Sequence, residues 1–523
     1  MPLLAALLRL ACVFAFGVLA SRGADKPNII VILADDQGFG DFGANNPRSK
    51  IPTPNLDRLA AQGMRFTDAH SASAVCTPSR YALLTGRYGW RTSLQSGVLE
   101  GFSPPLIAPG RVTIADLLHR QGYATGCFGK WHLGMNFPTK PATGEDAAKG
   151  GRSGKGAKAP KLVVDYDTPI TGGPLDHGFD DFFGISASLD MPPFVWIADR
   201  KVTEIPSAKK TWLRTGPAGP KFEAVDVLPG VVDHAIAFVA GQAKDAKAGR
   251  PFFAYVPLNA PHTPIVPTKE FAGTSGINPY ADFVRQVDAD VGRLLEALER
   301  QGLAEDTLVV FTSDNGCSPA ARIPELQSKG HEPNHVFRGA KADIFEGGHR
   351  VPFVVRWPAR VRPGMISEAL VGQVDLLATF ADLLGVPVAP EVGEDSVSFL
   401  PVLSGKTVEG ARRSLVNHSI NGSFALRDGE WKACFCAGSG GWSAPRPGSP
   451  EEAGLPEVQL YNLKDDPSEQ HNLALKFPER VAAMRAGLEA LVAKGRSTPG
   501  PEQANDVPVK ISKPRAADRH KDN

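Results

Sequence analysis

The sequence predicts an α/β protein: a large, mostly parallel sheet sandwiched by helices, followed by a small C-terminal antiparallel sheet with one helix. Three observations carry this. Asn28–Ala34 and Leu308–Ser313 are short, continuous, β-branched apolar runs, the pattern of strands buried on both faces. Such runs alternate with amphipathic helices. Phe283–Leu298 puts Phe283, Val284, Val287, Val291, Leu294, Leu295 and Leu298 on one side and leads straight into the Leu308 run, as a right-handed crossover requires. After about residue 405 the texture changes. Phe424–Ala433 reads as a hairpin with Asp428-Gly429 at its turn, Gln459–Leu463 as a further strand and Glu479–Lys494 as an amphipathic helix.

Taken in order, residues 3–20 are apolar apart from Arg9 and are followed by Ala20-Ser21 and Gly23-Ala24. This reads as a signal peptide over residues 1–24, hence an exported chain (periplasmic, extracellular or secretory); an N-terminal anchor is the alternative. No later apolar run approaches the ~20 residues of a membrane span, so no integral membrane protein is expected after cleavage. The large domain covers residues 25–405. Its first strand ends in Asp35-Asp36. Thr113–Gln121 reads as a helix stopped by Gly122, and Tyr123–Phe128 as a strand running into Lys130 and His132. Residues 139–161, dominated by Gly, Ala, Lys and Ser, read as a mobile low-complexity insertion. Leu175–Gly184 returns to packed structure, with Ser186, Ser188 and Asp190 behind it. Phe252–Asn259 is a strand leading to His262, and the Leu308 strand leads to Asp314-Asn315. Phe353–Trp357 reads as a strand and Val374–Leu384 as a helix. Residues 406–496 form the α+β subdomain, and the polar, basic stretch 497–523 is expected to be disordered.

The 523 residues are 42% hydrophobic and 22% charged with a formal charge of +1. That is ordinary globular composition, and it gives no reason to expect a nucleic-acid partner. Six cysteines are present. Cys12 lies in the signal, and Cys76, Cys127, Cys317, Cys434 and Cys436 do not make a disulfide scaffold. Cys434 and Cys436 share a strand face and are read as free. No second Cys/His pair accompanies them at zinc spacing.

Four strand tips therefore carry polar groups: Asp35-Asp36, Lys130 with His132, His262, and Asp314-Asn315. Ligands in parallel sheets gather at carboxyl strand ends. Two tips that each present adjacent oxygen donors suit calcium or magnesium rather than zinc. Cys76 stands at the mouth of a helix, with Pro78 suited to the first helical position and Arg80 one turn in. Free N–H groups there form an anion site. The direct reading is a thiolate nucleophile; a buried structural cysteine is the plain alternative.

Cys76-Thr77-Pro78-Ser79-Arg80 with Thr85-Gly86-Arg87 resembles the sulfatase signature, and Gly122-Tyr123 through Gly129-Lys130-Trp131-His132 resembles that family's second one. Asp35-Asp36, His262, Asp314-Asn315 and Lys341 before Glu346-Gly347-Gly348 also fall where its pattern expects them. The resemblance spans Asn28 to about Leu473. It implies an alkaline-phosphatase-like fold and hydrolysis of sulfate esters. It implies that Cys76 is converted to formylglycine by a formylglycine-generating or equivalent maturation enzyme. It also implies calcium, in preference to magnesium, held by Asp35, Asp36, Asp314 and Asn315 together with residue 76. In that scheme one hydroxyl of the hydrated aldehyde attacks sulfur while Arg80, Lys130 and Lys341 neutralise the transferred group. His262 is the candidate acid for the leaving oxygen. His132 is the candidate base on the second hydroxyl, whose deprotonation expels sulfate. Lys130, His262, Lys341 and, less securely aligned, Ser188 would bind the substrate, a sulfated small molecule or carbohydrate. The rival readings are a phosphate or phosphonate monoester hydrolase and a non-catalytic protein that binds sulfated glycans. Asp190, Asn334, His335 and Arg338 are specificity candidates by position alone, against the plain reading of solvated loop residues.

Overall fold

The structure is a computed structural model that describes residues 26–143, 162–405 and 412–512. The expected signal peptide lies outside them. Asn28–Ala34 is buried along its whole length and forms the middle of a ten-stranded sheet. Its alternation divides the core in two. Ile29, Val31 and Leu33 face a layer containing Tyr81, Leu83, Leu84, Ile114 and Phe380. Ile30, Ile32 and Ala34 face helices Val227–Lys247 and Pro279–Arg300. Each fully buried side chain of this size contributes about 1.5–3 kcal/mol. Asn28 sets the register at the strand's start: its side chain accepts from Phe252 N–H (3.2 Å) and donates to Thr307 Oγ1 (3.4 Å).

Five strands in the centre are parallel, in the order Thr307–Ser313, Asn28–Ala34, Phe252–Pro257, Ala124–Lys130 and Asp181–Ile185. Phe353–Arg356 pairs antiparallel outside Thr307–Ser313, and short antiparallel strands follow at the other edge. All five parallel strands point the same way, so the polar tips named above lie along one edge. Helix Val227–Lys247 is long and apolar enough to cross a membrane by length and composition, which corrects the expectation that no later segment is. Val231, Val232, Ala235, Phe238 and Val239 are nevertheless buried against the sheet.

Two boundaries need correction. Thr139–Pro141 is not part of a structureless insertion: it pairs with Leu162–Val164 as a two-stranded ladder, and residues 144–161 lie outside the described residues. The expected disordered tail is folded as far as residue 512. Asp506 pairs with Arg87 (2.9 Å), Asn505 accepts from Arg91 (2.9 Å), and Val509 and Ile511 pack on the C-terminal core. Composition missed this because the partners are buried arginines some 400 residues upstream.

The C-terminal sheet joins Ser414–His418, Phe424–Asp428, Trp431–Cys434 and Gln459–Asn462, all antiparallel. The hairpin turns at Gly429-Glu430, with Gly429 at φ 57° as a two-residue turn of this kind requires. Helix Pro478–Lys494 covers the sheet through Met484 and Leu488. Tyr88 and Trp90 from the large domain complete the same core, so the subdomain shares its interior with its neighbour. Deeper in that contact, Lys432 reaches Glu469 (2.8 Å), Glu346 (3.0 Å) and His349 (3.0 Å). His70, Glu346 and His349 bring their ligand atoms close enough together for a metal, but the Lys432 ammonium already serves Glu346 and His349.

Candidate active site

Helix Cys76–Thr85 begins at Cys76 itself. Pro78 is its third residue rather than its first, still within the turn whose N–H groups lack intrahelical acceptors. Gly86 ends the helix in the left-handed conformation, φ 63°, which explains the glycine in Thr85-Gly86-Arg87. The first turn is held down by Ser79, whose hydroxyl donates to Ser73 O at 2.8 Å. Arg87 points away from the site towards Glu394 and Asp506.

Arg80 is fully buried and donates from Nε (3.0 Å) and Nη2 (2.8 Å) to one oxygen of Asp314, and from Nη1 to Lys130 O (2.9 Å). It thereby ties the helix to two strand tips. Lys130 Nζ lies 2.7 Å from Asp35, and Lys341 Nζ lies 2.6 Å from Asp36 and 3.4 Å from Cys76 Sγ. Cys76 Sγ is 3.7 Å from Asp35, and His262 Nε2 is 3.7 Å from Asp36. Asp36 N–H donates to Asp314 Oδ1, and Asn315 Nδ2 to Asp36 Oδ1 (2.8 Å). The residues singled out in the sequence from four separate tips, and Lys341 from a fifth segment, thus meet within a few ångströms. Asp36 (φ 69°) and His132 (φ 55°) both hold left-handed backbone, a cost on the order of 1–3 kcal/mol each that functional sites tolerate.

The electrostatics are those of crowded, buried carboxylates. Burial, then the charge of Asp35, pushes Asp314 up. Burial raises Asp36 as well, with Lys341 opposing and Asp35 adding to the rise. Asp35 lies well below the usual range because Lys130, His262 and Arg80 outweigh its burial. Burial, then Asp314, pushes the Cys76 thiol up to about 12. That direction runs against the thiolate reading. Lys341 is raised despite its burial, chiefly by Asp36.

The donors fit a hard divalent cation. Asp35, Asp36, Cys76 and His262 bring their ligand atoms within 4.8 Å of one another. Asn315 Oδ1 is buried without a hydrogen-bond partner among the described residues, an amide oxygen next to Asp314 on a side chain that donates to Asp36. Oxygen donors with stacked negative charge are what calcium selects, and a divalent cation relieves the mutual repulsion just described.

Two histidines flank the centre. His132 Nε2 contacts Leu99 O at 2.7 Å and must donate there, which leaves Nδ1 as a buried acceptor with no partner. His262 Nδ1 donates to Thr263 O (2.6 Å), and burial, then Lys341, pushes its pKa down to about 4. Above these groups opens a cavity of about 360 Å³ lined by Cys76, His132, Ser188, Asp190, His262 and Lys341 among others. Ser188 Oγ is buried there with no partner, and Asp190 pairs with Arg214 (3.1 Å) while its second oxygen stays unpaired. Asn334 and His335 are not among the residues that line this cavity. Asn334 braces Cys317 N–H and Gly339 O, and His335 packs on Phe39 and Phe337. Arg214, Ile420 and Trp442 line the cavity and escaped the sequence reading. For Trp442 the one available signal was a lone aromatic in a Gly/Ser/Pro-rich stretch.

The chain matches the family model "Sulfatase" over residues 27–386. It is 32% identical to the N-acetylgalactosamine-6-O-sulfatase of Bacteroides thetaiotaomicron, covering 90% of this chain and 94% of that one. It is 35% identical to arylsulfatase A of Bos taurus, covering 91% and 90%. A solved Bacteroides thetaiotaomicron structure, described under the metabolism of multiple glycosaminoglycans, superposes with a TM-score of 0.74 at 31% identity, covering 90% of this chain and 99% of that one. The family model spans the stretch of chain that contains the centre built above, and these matches place the chain in the sulfatase family as a sulfuric ester hydrolase.

Proposed function

We propose that the protein hydrolyses sulfate monoesters on a sulfated carbohydrate, using formylglycine made from Cys76 and a bound calcium ion. The observation that carries this is the meeting of residue 76 with Asp35, Asp36 and Lys341 at the floor of a cavity of about 360 Å³. Relatives named for N-acetylgalactosamine 6-sulfate make that sugar the first substrate to test.

Asp35, Asp36, Asp314 and Asn315 would hold the cation, which supplies charge neutralisation and orientation of the reacting oxygens. A formylglycine hydrate at residue 76 would supply two hydroxyls, one as nucleophile and one for release of the sulfuryl group. Arg80, Lys130 and Lys341 are shared in the free site with three carboxylates. An entering sulfate monoester gives these cations a further anionic partner in a site from which water is largely excluded. His132 Nδ1, an acceptor with its tautomer locked by Leu99 O, is placed to take a proton. His262 turns Nε2 towards the centre; with Nδ1–H spent on Thr263 O, the proton for the leaving oxygen is one that Nε2 takes up as substrate binds. The negative charge of bound sulfate acts against the burial that lowers its pKa.

A chelator should remove activity and added calcium should restore it; activity indifferent to chelation would remove the metal assignment. His262→Gln should lower kcat by about 10²–10⁴-fold on a sugar sulfate, whose alkoxide needs the proton. It should cost far less on an aryl sulfate, whose phenoxide leaves unaided. Equal losses on the two would remove His262 as the acid. Sulfate and phosphate esters of one alcohol, compared by kcat/KM, test the reaction class: preference for phosphate would overturn the proposal. Export rests on residues 1–24 and is tested by N-terminal sequencing of protein recovered from its natural compartment.

A further inference from the structure

A second cavity of about 690 Å³ adjoins the first, and Pro319 and Trp442 line both. Its walls combine an apolar floor with two guanidinium groups, Arg338 and Arg446, against one carboxylate, Glu451. Arg338 lies flat over the Phe345 ring at 3.9 Å and donates through Nη1 to Glu469 O (2.9 Å) and Tyr461 OH (3.4 Å). Its other N–H groups have no partner among the described residues. Arg446 is exposed; it donates through Nε to Trp442 O (2.7 Å), its charge also acts on Glu451, and its terminal N–H groups have no hydrogen-bond partner among the described residues.

Trp442 combines a pinned backbone with a partly exposed side chain. Its N–H and that of Ser443 both donate to Asp343 Oδ1 (2.8 and 3.0 Å). Gly441 sits so close to Ala342 O that a Cβ would come within 2.4 Å of it. The loop is thus fastened to the segment that carries Lys341, yet 41% of Trp442 is exposed, and its indole stacks on no other ring among the described residues. A large aromatic held rigid and left bare at the seam of two cavities loses little entropy when a flat, amphipathic ring covers it. Sugar rings present such a C–H face.

We propose that this second cavity is a subsite for the sugar next to the sulfated one. That sugar would stack at Trp442 and place an anionic substituent, carboxylate or sulfate, on Arg446 and the free edge of Arg338. The inference deepens the carbohydrate reading and rests on it. Burial of a charge-assisted pair together with an aromatic contact favours an oligosaccharide over a monosaccharide.

The test compares five substrates on the full chain with calcium: an aryl sulfate, N-acetylgalactosamine 6-sulfate, and disaccharides joining that sugar to a uronic acid, a sulfated hexose or a neutral hexose. The two anionic disaccharides should show kcat/KM at least about tenfold above the monosaccharide, mainly through KM, with the neutral one between. Which anion gains more identifies the group that Arg446 receives. Arg446→Ala should erase most of that gain and leave the monosaccharide and the aryl sulfate untouched. Equal kcat/KM on monosaccharide and disaccharides, or an equal Arg446→Ala loss on all five, would overturn the subsite alone. Turnover of the aryl sulfate with none of the four sugar sulfates turned over would overturn the carbohydrate reading and this inference with it.

Discussion

Cys76→Ala is expected to abolish sulfate-ester turnover, with kcat/KM falling by about 10⁴-fold or more, the scale seen when a covalent nucleophile is removed. The side chain starts its helix, is 2% exposed, and lies 3.4 Å from Lys341 and 3.7 Å from Asp35. Alanine removes one buried sulfur without disturbing the helix, so circular dichroism and melting should change little. The same geometry makes a sharper statement about the unaltered chain. Burial and the neighbouring carboxylates push the Cys76 thiol up, and a thiol has no second hydroxyl through which a sulfuryl group could be released. Protein made without the maturation enzyme should therefore be folded and inactive. Across preparations, activity should scale with the fraction of residue 76 that mass spectrometry finds as aldehyde. Full activity in a preparation that is wholly thiol would refute this chemistry. Cys76→Ser should keep substrate affinity while losing turnover, because serine has one hydroxyl and no route back to a carbonyl.

Lys432→Met should destabilise the fold by about 3–5 kcal/mol, the usual cost of stripping the partner from buried charges. Lys432 comes from the C-terminal sheet and is 1% exposed, between Glu346 and Glu469 at 3.0 and 2.8 Å. Burial lifts Glu469 to about 7, whereas Lys432, His70 and His349 hold Glu346 well below its usual range against the effect of burial. One ammonium therefore serves two carboxylates of different character. Glu469 also accepts from Glu346 N–H at 2.6 Å, so the network seats the short Glu346–His349 helix. That helix matters to the site: Gly347 O approaches the place where a Cβ on Gly316 would stand to 1.8 Å, directly behind Asp314-Asn315. Thermal unfolding with calcium should show the loss, and calcium affinity should fall with it. A melting temperature unchanged in Lys432→Met would mean that the network contributes nothing to stability.

Much of the centre is legible in the sequence itself, for a physical reason. A strand buried on both faces has to be an unbroken apolar run, so its end is visible, and the residues just past that end lie where a parallel sheet places its ligands. Asp35, Lys130, His262 and Asp314 are found that way, and the Cys76 helix by its local chemistry. The Arg87–Asp506 and Arg91–Asn505 contacts are not legible, because a buried arginine and an exposed one have the same letter. Nor is the strand Thr139–Pro141, whose partner Leu162–Val164 lies across a stretch with no pattern.

The chain alone determined its alternating α/β order, the oxygen-rich strand tips and the residue that starts the central helix, since these depend on periodicity and on neighbours within a few positions. Only the tertiary structure decided that Cys76 is buried beside Asp35 and Lys341, that Lys432 joins the C-terminal sheet to the Glu346–His349 helix, and that Trp442 shares the lining of two cavities. Those properties depend on burial and on distances between segments far apart in the chain, and both are set by how the elements pack.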